Sequence, residues 1–125
     1  EPRMIVIQPW DMSMLKEIEK AINLAEIGIN PNNDGKVIRL AFPELTEERR
    51  KDLVKEIRKT AEEAKVAIRA IRREGIDTAK AAQKNSELTE DELDQAEDKI
   101  QKMTDAKIAQ IDELLNKKEK EIMTV

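Results

Sequence analysis

Arg69-Ala70-Ile71-Arg72-Arg73 gathers three guanidinium groups into five residues. Each guanidinium is a planar fork of N–H donors that matches the oxygens of a phosphate, so the cluster suits contact with a polyanionic backbone. Turned by about 100° per residue, Lys51, Lys55, Arg58, Lys65, Arg69, Arg72, Arg73 and Lys80 share one helical face, interrupted only by Glu62 and Ile76. Asp52, Glu56, Glu63, Glu74 and Asp77 fall on another face. A helix that is merely solvated mixes its signs, and this separation points to a polyanion on the basic side. The competing reading is a surface laced with ion pairs, and composition alone leaves both open. No aromatic side chain stands beside the cluster, which disfavours stacking on single-stranded bases and favours structured RNA read by shape and phosphate.

Other chemistries lack their residues. With no histidine, the commonest general base and metal ligand is missing; with no cysteine, thiolate chemistry and disulfides are excluded and a reducing compartment is expected. The carboxylate pairs Glu62-Glu63 and Asp91-Glu92 lie on helix exteriors, with no cleft to make their environments unequal. No glycine-rich phosphate loop, nucleophile elbow or dinucleotide fingerprint is present. Asn30, Asn32, Asp34 and Gly35 imitate the start of a calcium loop, but Ala41 stands where the bidentate glutamate is required, so an Asx-rich turn is the better reading. No enzymatic activity, metal site or cofactor is expected.

The basic face rides on one long element, Thr46 to about Lys84, which contains no proline and is interrupted only by Gly75. Thr46 can cap its start, with Glu47 and Glu48 in the first turn, where a helix favours negative charge. At about 1.5 Å per residue it runs to roughly 60 Å, a rod for a bundle or coiled coil. Leu53, Ile57, Ala61, Ala64, Ile68, Ile71, Gly75 and Ala82 are its expected buried seam. After a connection over 85–88, Thr89 and Glu92 form a capping box for a second long helix to about Met123. Its expected seam is Leu93, Ala96, Ile100, Met103, Ile111, Leu114, Leu115 and Ile122. So short a connection makes the two helices antiparallel neighbours, and an isolated pair would leave half of each seam wet, so a third helix is expected.

Residues 1–43 read as an α/β piece. Met4–Ile7 is an apolar run expected to be a buried strand. A helix over about Met14–Ile27 turns Leu15, Ile18, Ala21, Ile22 and Ala25 inward and stops at Gly28; a turn cluster covers 30–35, and Val37–Phe42 forms a second strand. Two strands and a helix make a small sheet unit, and the chain opens Glu1-Pro2-Arg3, so further strands and a first bundle helix are expected upstream. Charged residues at 40% with aromatics at 2% suit long amphipathic helices rather than a sandwich or barrel. A net charge of −4 confines any nucleic-acid role to a local patch. No apolar run approaches the roughly 20 residues of a membrane span. A membrane-surface helix is disfavoured by the narrow aliphatic seam without aromatic anchors.

Several stretches resemble the ribosome recycling factor family in order and spacing. They are Glu19-Lys20-Ala21-Ile22, Gly28-Ile29-Asn30-Pro31-Asn32, Ile38-Arg39-Leu40 and Pro43-Glu44-Leu45-Thr46-Glu47-Glu48-Arg49-Arg50-Lys51. Arg69-Ala70-Ile71-Arg72-Arg73, Glu90-Asp91, Ile100-Gln101-Lys102-Met103-Thr104-Asp105 and Lys118-Glu119-Lys120-Glu121-Ile122-Met123 extend the match along the whole chain. The resemblance implies an α+β protein in which a three-helix bundle joins a small α/β head through a flexible elbow. Here the head would be partial over 1–43, and 44–125 would supply two of the three helices. It implies binding to the large subunit of the post-termination ribosome and, with elongation factor G and GTP hydrolysis, splitting of the subunits. By that resemblance Arg72 and Arg69 lead the rRNA contacts, with Arg49, Arg50, Arg58, Lys65 and Arg73 in support, and Pro43, Glu44 and Leu45 lie at the elbow. A cytoplasmic monomer with no membrane or DNA partner is expected. The alternative is a helical-hairpin scaffold that binds a protein through its unfilled seam.

Overall fold

The computed structural model describes residues 1–124 and divides into two compact units, Glu1–Leu45 and a second beginning at Thr46. The first holds a three-stranded antiparallel sheet: β1 (Met4–Ile7), β2 (Asn32–Asn33) and β3 (Ile38–Ala41), in the order β1-β3-β2. β3 is central, with Met4 opposite Ala41 and Ile7 opposite Ile38 on one side, and Asn32 opposite Arg39 on the other. Strand alternation buries Ile38 and Leu40, at 0% and 5% exposure, against Leu15 of α1 (Leu15–Leu24). Ile7, Ile18, Ile22, Ile29 and Phe42 pack around this trio.

Three expectations for this unit need correction. β1 is an edge strand rather than a buried one: with a neighbour on one side only, Ile5 and Val6 stay half exposed. The helix is shorter than its apolar pattern: a 3-10 turn over Met12–Met14 precedes it, with Asp11 accepting from the Ser13 amide. It ends at Leu24 because Glu26 already has a φ of 50° and Gly28 one of 79°, so the chain turns back and Ile29 reaches the core. Ala21 and Ala25 are consequently exposed. The turn cluster also contains a strand, β2. Its two asparagines have no intrinsic strand preference, and β3 supplies the pairing.

Asp34 shows what the Asx-rich loop does. Its carboxylate accepts from the amides of Lys36 and Val37, both at 2.9 Å, and from the Arg39 guanidinium. Those bonds, the Val37 amide first, hold its pKa down to about 2. Trp10, between Pro9 and Asp11, is fully exposed.

The second unit is a pair of long helices, α2 (Glu47–Lys84, 38 residues) and α3 (Glu90–Met123, 34 residues). Thr46 caps α2 by accepting from the Arg49 amide at 3.0 Å. Thr89 and Glu92 cap α3 reciprocally, each bond 3.1 Å. Ser86, at a φ of 60°, reverses the chain between them. Val54 and Ala79 of α2 and Thr104 of α3 are the buried residues, with Ile57, Ala61, Ile68 and Gly75 facing Ile100, Ile108, Ile111 and Leu115 from half-buried positions. Gly75 packs on Ile100: a Cβ there would lie 3.4 Å from the Ile100 side chain, about van der Waals distance. Thr104 satisfies its hydroxyl on the Ile100 carbonyl at 2.8 Å.

The seam is narrower than the apolar pattern. Ile71, Met103 and Leu114, expected inside, are 66%, 57% and 66% exposed, whereas Val54 and Ala79, outside the expected seam, are buried. One partner helix covers only a stripe of the coiled-coil type, and a wider apolar face spills past its edge. No helix among the described residues is long and apolar enough to cross a membrane.

Candidate nucleic-acid interface

The seven cations singled out by sequence all lie on α2, and the structure sorts them by what holds them. Arg50, Arg58, Lys65 and Arg72 reach across to α3. Arg50 donates to the carbonyls of Ile122 and Thr124, the latter at 3.0 Å, and so closes the C-terminal turn of α3. Arg58 Nε donates to Glu119 at 2.6 Å, and Lys65 pairs with Asp112. Arg72 Nη1 donates to the amide oxygen of Gln101 at 3.1 Å. The basic face is therefore partly an inter-helix face, with Arg58 and Lys65 ion-paired to α3.

Electrostatics follow from these contacts. The hydrogen bond from Arg58 draws the Glu119 carboxyl below its ordinary value, and the same bond raises Arg58. Glu119 is thereby committed to α2, while Lys118 pairs with Glu121 at 3.2 Å. Lys65 is the most enclosed of the four that pair with carboxylates, its side chain only 16% exposed.

Arg49, Arg69 and Arg73 face outward. Arg49 and Arg69 keep 49% and 44% of their side-chain surface exposed and touch Glu56 and Glu62 only at 3.7 and 3.5 Å. Contacts of that length between exposed groups contribute little and exchange readily for another anion. Arg73 is exposed and has no ion-pair partner among the described residues. Arg69, Arg72 and Arg73 thus offer guanidinium donors within about one helical turn of each other. What this surface can do is bind phosphate oxygens; no group of three metal-ligating side chains occurs among the described residues.

Sequence reading missed Gln101, Asp112 and Glu119 as partners of these cations. The signal was weak: the pairs join residues 29 to 61 positions apart, visible only once the helices are laid antiparallel. Pro43, Glu44 and Leu45 close the first unit, Glu44 approaching Arg3 at 3.5 Å.

Comparison with known proteins places this arrangement. The family model described as Ribosome recycling factor matches residues 1–123. The chain is 66% identical over its 125 residues to the ribosome-recycling factor of Caldicellulosiruptor saccharolyticus and 65% identical to that of Acetivibrio thermocellus, spanning 68% of the length of each. Among solved structures, a solution structure of the ribosome recycling factor is similar with a TM-score of 0.67 and 44% identity. That likeness covers all of this chain and 66% of the other. A second likeness, at a TM-score of 0.57 and 52% identity, is to the Thermus thermophilus factor, represented in models with Escherichia coli elongation factor G on the E. coli post-termination complex; it covers 99% of this chain and 67% of that one. Long capped helices, a small antiparallel sheet unit and an arginine cluster on α2 thus coincide with a match along nearly the whole sequence, and the chain belongs to the ribosome recycling factor family.

Proposed function

We propose that this chain serves ribosome recycling: it docks on the rRNA of the large subunit of a post-termination ribosome and acts with elongation factor G to separate the subunits. Family membership supports the reading, as does the likeness to a factor represented with elongation factor G on a post-termination complex. The observation that carries the docking mode is the cluster Arg69, Arg72 and Arg73: Arg69 meets Glu62 only at 3.5 Å, Arg72 meets a neutral amide through one donor, and Arg73 has no ion-pair partner among the described residues. Phosphates replace the long Glu62 contact at small cost, and no base-stacking aromatic is needed. Arg49 extends the track, while Arg58, Lys65 and Arg50, engaged by α3, contribute field and rigidity more than contact. The role is mechanical rather than enzymatic, in the cytoplasm, with Pro43, Glu44 and Leu45 as the elbow of a monomer.

Co-sedimentation of the intact protein with large ribosomal subunits over a salt series tests this. Binding should weaken steeply with salt, and Arg69→Glu/Arg72→Glu should abolish it while the helix melt stays nearly unchanged. Binding indifferent to salt and to both substitutions would favour a second reading. In that reading the exposed residues Ile71, Met103 and Leu114 form an edge that pairs with a protein. No binding by the folded protein would count against rRNA docking altogether.

A further inference from the structure

Arg72 is held by a neutral oxygen, as Arg50 is by backbone carbonyls, whereas the ion-paired cations of α2 are not. Among the described residues, Arg49, Arg58, Lys65 and Arg69 each meet a carboxylate: Glu56, Glu119, Asp112 and Glu62. Arg72 meets a neutral amide, Gln101 Oε1, at 3.1 Å. A carboxylate partner offsets the positive charge and must be displaced before phosphate can bind, whereas an amide oxygen fixes the guanidinium without neutralising it. One of the five N–H donors is used and the rest of the fork stays available.

The amide is itself held. Gln101 Nε2 donates to Asp105 Oδ1 at 2.9 Å, one turn further along α3. This second bond settles which way the amide points: its NH2 faces the carboxylate, so its oxygen faces the cation. Asp105 stands one amide removed from Arg72 and orients without pairing. The relay also stands beside packed residues of the helix pair. Ile100, next to Gln101, packs on Gly75, and Thr104, next to Asp105, is 7% exposed.

We propose that Gln101 and Asp105 are positioning residues that hold the Arg72 guanidinium, still fully charged, in the orientation that meets a phosphate oxygen of rRNA. The inference rests on the rRNA-docking reading above. An arginine already confined loses less rotamer freedom on docking, so the relay contributes affinity without touching the RNA.

The test is a double-mutant cycle in the intact protein, read by co-sedimentation with large ribosomal subunits across a salt series and by the helix melt. Gln101→Leu should weaken binding roughly threefold to tenfold, the scale of one side-chain hydrogen bond, with the melt and the salt slope kept. Arg72→Ala should weaken binding and lower the salt slope by about one. In the Arg72→Ala background Gln101→Leu should cost nothing more. Gln101→Glu, which fixes the arginine but neutralises it, should bind at least as weakly as Gln101→Leu; a merely structural role at this exposed helical site would leave Gln101→Glu unharmed. Wild-type binding by Gln101→Leu beside weakened Arg72→Ala would overturn the relay and leave the docking reading standing. Additive losses would overturn it too, by showing that Gln101 acts without Arg72. Wild-type binding by Arg72→Ala would overturn both.

Discussion

Ile38 and Val54 are both buried, yet they belong to different kinds of core. In the first unit, 45 residues gather three nearly inaccessible side chains, Leu15, Ile38 and Leu40, with five more packed around them. In the second, two helices of 38 and 34 residues bury only Val54, Ala79 and Thr104, each at the margin of burial. A sheet with a helix on one face closes a small core from several directions. Two helices touch along a line, so length substitutes for depth. The second unit therefore relies on what lies beside the line: caps at both N-termini, the Arg58–Glu119 and Lys65–Asp112 pairs, and Arg50 on the last carbonyls of α3.

This contrast can be broken deliberately. Ile38→Ala truncates a side chain that is 0% exposed and should cost the first unit about 2–5 kcal/mol. Amide exchange should then accelerate in β1 and β3 while α2 and α3 keep their protection; equal acceleration in both units would mean that their stabilities are not separable. Thr89→Ala breaks the capping box in the second unit and should cost about 1 kcal/mol, read as a lower helix melt with the sheet amides unchanged.

Acid gives the smallest effect and the sharpest distinction. The folded pKa of Asp34, about 2, lies below its ordinary 3.8. Its contribution is therefore complete above 3.8 and is lost as pH falls through about 2. The β2–β3 turn should loosen in that window, followed by the Lys36 and Val37 amide resonances, and Asp34→Asn should loosen it already at neutral pH. Unchanged amides at pH 2 would contradict the assignment of that carboxylate as the turn's organiser.

How much of this was legible in the sequence depends on the range of the interaction. Thr46 with Arg49, and Thr89 with Glu92, act over three residues, so both long helices could be bounded from local pattern alone. Leu15 announced itself by helical spacing, and Ile38 and Leu40 fell within the second expected strand. Ile71, Met103 and Leu114 could not be placed, because an apolar face wider than one partner covers leaves the covered side to tertiary packing. β2 had no signal of its own. The cationic cluster was legible as charge, but not the division between Lys65, tied to Asp112, and Arg73, which is not tied. That division is made by α3, and no local window contains it.

Trp10 carries a practical consequence. It is the sole tryptophan in a chain without tyrosine, and it stands wholly in water on the loop before α1. Its emission therefore starts where an unfolded chain's would end, so loss of either unit shifts the spectrum little. An unfolding experiment read by intrinsic fluorescence would report a protein that scarcely changes while its helices melt. Circular dichroism sees the helices; the indole instead serves as a quiet lamp whose colour changes only when something covers that loop.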